Sequence, residues 1–249
     1  MDSIRMRGVC KNFGEITALE NIDFDLGENE VVGLIGDNGA GKSTMIKIIT
    51  GVYPFEKGEL FIREEKVDPQ RYSVQKAREF GIETVYQERS LGERQPLWRN
   101  IFIGRHRTNR LGYIRIRSEK EETINILKNL IGLKGVGISA DSAVQMLSGG
   151  ERQGVAIGRA MYFKSQIIVL DEPTTALSLK EVDKVLNFIK MIRETGKSCI
   201  YITHNIYHLY AVADRFVILD RGKIVGNYQK SELSREELSD KLMMHARQE

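Results

Sequence analysis

The chain has 249 residues, 41% of them hydrophobic and 29% charged, with 37 basic against 34 acidic side chains and a formal charge of +3. Such a composition belongs to a globular protein long enough to enclose a sizeable core, which excludes a disordered tail and a small disulfide scaffold. No apolar run approaches the ~20 residues of a membrane-spanning helix, and Asp2, Arg5, Arg7 and Lys11 interrupt the N-terminus where a signal peptide needs an apolar stretch, so an unexported, cytoplasmic chain is expected. Cys10 and Cys199 stand far apart and outside any C-x-x-C spacing, which argues for reduced thiols and against a zinc site.

Taken in chain order, short β-like runs cover residues 4–9, 22–26, 31–35 and 59–62. Between the last two, Met45, Ile46, Ile48 and Ile49 follow a glycine-rich loop without any period of two, and Gly51 stops them, which predicts a helix from Lys42. Further strands are predicted at 83–86, 167–170, 199–203 and 215–219, separated by helical segments, the alternation of a mostly parallel sheet covered by helices. The clearest helix follows Ser178: Val182, Val185, Leu186, Ile189 and Ile192 form one stripe, and Ser178 with Glu181 makes a capping box. Residues 96–146 hold helical patterns at 97–103 and 119–131 and no strong strand, as expected of a helical insertion. Toward the end, runs at 216–219 and 223–228 flank Asp220-Arg221-Gly222 as a hairpin, and Ser234 with Glu237 opens a last helix.

Gly36-Asp37-Asn38-Gly39-Ala40-Gly41-Lys42-Ser43 satisfies G-x-x-x-x-G-K-[ST] between a predicted strand and a predicted helix. The glycines let backbone N–H groups converge on one concavity, and the helix N-terminus adds partial positive charge, so a polyphosphate fits. Lys42 is expected to reach the β- and γ-phosphates, and Ser43 to offer a hydroxyl to Mg²⁺. The apolar strand at 167–170 ends in Asp171 and Glu172, which places two carboxylates at the carboxyl edge of a parallel sheet. Asp171 is assigned to Mg²⁺, directly or through water, and Glu172 to the polarisation of a water that attacks the γ-phosphorus. His204, after the strand at 199–203, is assigned a hydrogen bond to the γ-phosphate and the attacking water. Gln87, at the end of the strand at 83–86, is placed for the metal or the water.

Leu147-Ser148-Gly149-Gly150-Glu151-Arg152-Gln153 resembles the signature motif of ATP-binding cassette (ABC) ATPases. Phosphate loop, Gln87, signature, acidic strand and His204 follow in family order, so the resemblance covers nearly the whole chain. It implies a P-loop NTPase core at 1–90 and 147–249 with an antiparallel β part near the N-terminus and a helical subdomain at 91–146, all within one α/β cassette domain. The family's head-to-tail dimer further implies that Ser148, Gly149 and Gly150 of one copy close over ATP on the other. Ser148 and Glu151 also form a capping box, so a helix N-terminus is available to an anion there. In the nucleotide site the resemblance points to Gly36, Asn38, Gly39, Ala40, Gly41, Lys42, Ser43 and Thr44, and it puts Phe13 where the family stacks an aromatic on adenine.

One position departs from the family pattern: Ser178 stands where a loop aspartate usually touches the partner subunit. Thr175-Ala176-Leu177-Ser178, Met161-Tyr162-Phe163 and residues 81–87 are similar to ATPases of monosaccharide importers. With one set of motifs, a homodimer or a pair with a second cassette is expected, working with transmembrane permease subunits and an extracytoplasmic sugar-binding protein at the cytoplasmic face of the inner membrane. From Arg89 to Arg117, eight arginines (89, 94, 99, 105, 107, 110, 115, 117) oppose only Glu93, with Trp98, Phe102 and Tyr113 interleaved. Such a +7 stretch fits anionic lipid headgroups or nucleic acid. Nucleic acid belongs to the alternative, a soluble ABC ATPase acting on the ribosome or on nucleic acid, and is not the expected partner. An exporter cassette is a second alternative, whereas Glu172 and His204 together disfavour a regulator that does not hydrolyse.

Overall fold

The computed structural model describes residues 2–86, 91–129, 137–163 and 165–246. In chain order its elements are β1 (Asp2–Phe13), β2 (Ile16–Gly27), β3 (Val31–Ile35), α1 (Lys42–Ile49), β4 (Lys57–Ile62), β5 (Glu65–Lys66), α2 (Val74–Glu79), β6 (Ile82–Val85), α3 (Leu97–Phe102), α4 (Ile116–Asn129), α5 (Gly149–Tyr162), β7 (Ile167–Asp171), α6 (Leu179–Glu194), β8 (Ser198–Ile202), α7 (Ile206–Val212), β9 (Arg215–Asp220), β10 (Lys223–Gln229) and α8 (Arg235–Ala246). Gln87 and Arg89 lie outside the described residues, as do residues 130–131 of the predicted insertion helix.

Two sheets organise the chain. A four-stranded antiparallel sheet runs β2-β1-β4-β5, and a six-stranded sheet runs β10-β9-β3-β8-β7-β6, parallel except for β10. β1 is twice as long as its alternation predicts because the pairing with β2 shifts register between Met6 and Val9, where Gly8 has φ 58°. A bulge there breaks the period of two that would have revealed the rest of the strand.

The six-stranded sheet is covered on both faces. Cys199 and Tyr201 of β8 pack with Ile168, Leu170, Phe216 and the apolar stripes of α5, α6 and α7 on one side. Ile200 and Ile202 pack with Val169, Val217, the α1 residues Met45, Ile46, Ile48 and Ile49, and the antiparallel sheet on the other. Burial on both faces is why β7 and β8 read as unbroken apolar runs. The helices begin as their caps predict, with Ser148 and Ser178 each in a full capping box. Within 96–146 the described residues hold α3, α4, a 3-10 turn at Val144–Met146 and two isolated β-bridges, Pro96 with Ala143 and Thr108 with Ile114. The hairpin of β9 and β10 turns through Arg221 (φ 43°) and Gly222 (φ 78°), two left-handed residues as a type I′ turn requires.

Ile200 is fully buried in the strand between β3 and β7. Ile200→Ala is expected to remove about 2–5 kcal/mol of stability through lost contacts and a residual cavity. Urea unfolding checks this, and an unchanged midpoint would contradict the packing described.

Candidate active site

The site follows from strand register. β8 lies between β3 and β7, with Leu34 opposite Ile202 on one side and Asp171 opposite Ile202 on the other. The segments after all three strands therefore leave the same edge of the sheet at the same level. A cleft of about 480 Å³ opens there, lined by residues 38–44, Asp171, Glu172 and His204, with Ile16, Thr17 and Ala18 of β2 as the opposite wall.

The glycine loop is held from both sides. Gly41 has φ 105°, and a Cβ on it would stand 2.7 Å from the Ala18 carbonyl oxygen, so neither the dihedral nor the space admits another residue. The turn of the last hairpin braces the loop: the Gly222 N–H donates to the Ala40 carbonyl at 2.9 Å, and the Gly222 carbonyl accepts from the Glu20 N–H at 2.8 Å. No side chain caps α1, whereas Ser73, Ser148 and Asn205 cap α2, α5 and α7. Amide donors at an uncapped helix N-terminus beside a cleft are satisfied by an anion.

Lys42 Nζ donates to the carbonyls of Gly36 at 2.6 Å and Asp37 at 2.8 Å, which folds the ammonium over the loop. Burial lowers its pKa, opposed by the charges of Glu172, Asp171 and Asp37. Burial and the adjacent Glu172 raise the Asp171 pKa against the pull of Lys42 and Lys47. Each of these partly buried charges is incompletely compensated, and phosphate opposite Lys42 or a cation opposite Asp171 would relieve it.

Glu172 has φ 49°, a strained conformation for a side chain of this kind, fixed by its N–H bond to the Ile202 carbonyl at 3.0 Å. One of its carboxylate oxygens accepts from the His204 N–H at 3.0 Å and lies 2.9 Å from His204 Nδ1, while the other accepts from Thr175 Oγ1 at 3.3 Å. His204 Nδ1 is thereby engaged with the carboxylate, so Nε2 is the ring atom left to meet a phosphate or water. Ser43 and Asp171 line the same cleft, and among the described residues no group of three His, Cys, Asp or Glu could hold a metal alone. That sparse oxygen set suits Mg²⁺, which keeps several waters and takes further ligands from phosphate.

Phe13 is 42% exposed and packs edge-on against Tyr53 at 5.2 Å, outside the ring of residues lining the cleft. It is paired across the β1–β2 turn with Ile16, which does line the cleft and is 70% exposed. Cross-strand partners share a face, so Phe13 and Ile16 make one apolar edge. Ile16, Thr17 and Ala18 escaped sequence reasoning because nothing local marks them.

Ser148, Gly149 and Gly150 are not among the cleft residues of their own chain. They open α5 against the start of α6. Gly150 N–H donates to Glu181 Oε1 at 2.8 Å, and a Cβ on Gly150 would stand 2.4 Å from Glu181 Cγ. Glu181 also accepts from the Ser178 N–H at 3.0 Å and Ser178 Oγ at 2.8 Å. One carboxylate thus satisfies two helix N-termini, which sequence showed only as the cap of α6. These donors hold the Glu181 carboxyl far below its ordinary value of 4.5, at about 2.

The model of the ABC transporter family matches residues 19–175. Similar chains include the xylose/arabinose import ATP-binding protein XylG of Sulfolobus acidocaldarius, 41% identical over 240 residues that cover 96% of this chain and 93% of that one. The fructose import ATP-binding protein FrcA of Rhizobium meliloti is 41% identical over 222 residues, covering 87% and 84%. The ribose import ATP-binding protein RbsA of Caldanaerobacter subterraneus is 34% identical over 94% of this chain, which spans only 46% of its length. Among solved structures, a dimeric post-hydrolysis ATP-binding cassette bound to ADP and Pi superposes with a TM-score of 0.76 at 28% identity, covering 91% of this chain and 98% of that one. A nucleotide-free cassette of an ABC transporter shares the fold over the full length of both chains at 24% identity, with a TM-score of 0.84. The chain belongs to the ABC transporter family, and its fold is that of the ATP-hydrolysing cassette.

Because Glu181 has a folded-state pKa below its unfolded value, its stabilisation is present above pH 4.5 and is lost as the pH falls toward 2. The difference in urea midpoint between the native chain and Glu181→Gln is expected to be largest at neutral pH and to narrow steadily below pH 4.5. A difference independent of pH would place the carboxylate elsewhere.

Proposed function

We propose that this chain is the ATP-hydrolysing subunit of an importer for a monosaccharide, acting with a separate membrane permease and an extracytoplasmic sugar-binding protein. One observation carries the reading: the phosphate loop, Asp171, Glu172 and His204 meet in a single cleft, in a chain whose relatives are import ATP-binding proteins for xylose/arabinose, fructose and ribose.

In this reading the amides of residues 38–44 and the N-terminus of α1 hold the α- and β-phosphates, and Lys42 swings from its own loop carbonyls to the β- and γ-phosphates. Ser43 and Asp171 would hold Mg²⁺, with Gln87 as a further ligand or a water contact, and the ion would supply positive charge against the phosphates. Glu172 accepts a proton from the attacking water, which displaces ADP in line and leaves inorganic phosphate. His204, tied to Glu172 through Nδ1, offers Nε2 to the γ-phosphate. Phe13 and Ile16 form the edge on which adenine rests. The cassette comprises the core at 1–90 and 147–249 and the helical part at 91–146.

Ser148 to Gly150 lie outside their own chain's cleft, which supports a second copy or a paired cassette bringing its signature over the bound nucleotide. Closure of that dimer by two ATP molecules drives the permease, and hydrolysis resets it, the energy coming from differential binding to the closed state. Ser178 in place of the usual aspartate leaves Glu181 as the residue joining the two helix starts at this contact. No helix among the described residues is long and apolar enough to cross a membrane. In this reading the permease holds the chain peripherally at the cytoplasmic face.

Lys42→Ala is expected to abolish steady-state hydrolysis, and Glu172→Gln to lower kcat by about 10²–10⁴-fold while ATP still binds. Phosphate release and nucleotide titration check both, and hydrolysis by Glu172→Gln at the native rate would remove it as the base. Ser148→Arg should spare ATP binding and block ATP-driven dimer formation, measured by gel filtration. Affinity isolation of Glu172→Gln from detergent-solubilised membranes with ATP should recover a polytopic permease. Recovery of ribosomes or nucleic acid without a membrane protein would overturn the importer reading.

A further inference from the structure

From the end of α3 into the first turn of α4, residues 103–117 carry five arginines and no acidic side chain. The structure divides these arginines by height. At the base they are committed inward: Arg105 makes a two-point ion pair with Glu83 at 2.5 and 2.8 Å and lies 3.9 Å above the Phe163 ring. Arg107 donates to Tyr162 Oη at 2.6 Å and to Ser118 Oγ at 3.1 Å, and its backbone N–H donates to the fully buried Glu119 carboxylate at 2.6 Å. The base is therefore fastened to β6, α4 and the end of α5.

Above the base the chain forms a miniature hairpin. Thr108 bridges to Ile114, and the Asn109 N–H donates to the Tyr113 carbonyl at 2.9 Å. The Asn109 side-chain oxygen accepts from the N–H groups of Leu111 at 2.9 Å and Tyr113 at 3.0 Å, and its backbone carbonyl accepts from Gly112 at 3.0 Å. A tip hydrogen-bonded in this way holds its side chains where they are. Leu111 is 80% and Tyr113 70% exposed, so the fold spends this order on presenting apolar groups to water. The guanidinium groups of Arg110 and Arg115, both exposed, have no acceptor among the described residues, where that of Arg117 meets Glu121 four residues on; the Arg115 backbone N–H donates to the Arg107 carbonyl at 2.7 Å and closes the hairpin.

We infer that this hairpin docks on the surface of an anionic phospholipid bilayer, with Leu111 and Tyr113 entering the boundary between headgroups and acyl chains and Arg110 and Arg115 pairing with headgroup phosphates. Charge complementarity points to an anionic surface, and the apolar tip separates a bilayer from nucleic acid. An aliphatic side chain gains nothing on a phosphate backbone but is transferred from water at the acyl boundary. Arginine suits the role because its stem lies along apolar surface while its fork takes phosphate oxygens in two-point fashion. The hairpin adds no residue to the nucleotide cleft, so the inference goes beyond the importer reading and stands without it.

The test is co-sedimentation of the purified full-length chain, without nucleotide, with vesicles of phosphatidylcholine alone or phosphatidylcholine mixed with phosphatidylglycerol. The native chain should bind the mixed vesicles, less so as salt rises, and should not bind phosphatidylcholine alone. Arg110→Gln/Arg115→Gln should weaken binding roughly thirtyfold, about fivefold for each cation removed. Leu111→Ser/Tyr113→Ser should also weaken it while keeping the preference for the anionic lipid. Both variants should keep the native thermal midpoint and basal ATP hydrolysis, since the hairpin tip packs on neither core. Equal sedimentation with both vesicle types, no sedimentation with either, or native binding by the arginine variant would overturn the inference. Tighter binding to a DNA duplex than to the mixed vesicles, lost in the arginine variant, would overturn it in favour of nucleic acid. Failure to bind vesicles combined with loss of permease recovery in the arginine variant would overturn it in favour of a protein contact.

Discussion

β8 is the strand on which the arrangement of this protein depends. It is buried on both faces and flanked by β3 and β7, and its Ile202 stands level with Leu34 on one side and Asp171 on the other. Parallel strands in register must end together, and a sheet covered on both faces leaves only its edges for polar groups. The glycine loop follows β3 directly, Asp171 ends β7 with Glu172 next, and His204 comes two residues after β8. Their convergence is a consequence of register, and a slip of one residue at β8 would turn Ile200 and Ile202 from α1 toward α5, α6 and α7 and carry His204 away from Glu172.

Around that edge the structure places charges that do not balance one another. Lys42 is partly desolvated and turned onto its own loop, Asp171 is driven toward protonation by burial and by Glu172, and Glu172 is held in a left-handed conformation by the backbone of β8. An uncapped helix N-terminus beside a partly buried lysine favours anionic phosphate. The start of α5 is the opposite case. There Glu181 supplies an internal anion to Gly150 and to Ser178, so two helices begin from one carboxylate. The two helix N-termini differ because α1 has no capping side chain and α5 has two carboxylates at its first turn, Glu151 and Glu181.

The segment between α3 and α4 treats its cations differently according to whether a carboxylate is in reach. Arg105 pairs with Glu83, while Glu119 accepts from the Arg107 N–H and lies 3.0 Å from His106 Nδ1; both acids are buried, and these partners are what permit them inside the fold. At the hairpin tip the guanidinium groups of Arg110 and Arg115 meet no carboxylate among the described residues, and they are exposed together with Leu111 and Tyr113. The same residue type thus serves as internal fastening at the base and as surface charge at the tip.

Much of this could be read from the sequence, because the decisive signals are local. The glycine loop between strand and helix, the apolar run ending in Asp171 and Glu172, the capping pairs at Ser148, Ser178 and Ser234, and the Arg221-Gly222 turn each follow from a few neighbouring residues and their dihedral or hydrogen-bonding needs. The six residues that line the cleft beside the glycine loop were not all legible: Asp171, Glu172 and His204 stood out as strand ends, but Ile16 to Ala18 did not, since they become a wall only when β2 folds across Gly41. The bulge at Gly8 hid half of β1 by breaking its alternation. Sequence by itself determined the elements, their caps and the chemistry carried at their ends. Tertiary structure alone decided that Gly222 braces Ala40, that Glu181 reaches Gly150, that His204 turns Nδ1 to Glu172, and which arginines are fastened and which are exposed, because each of these is a contact between residues whose separation in the chain carries no local signal.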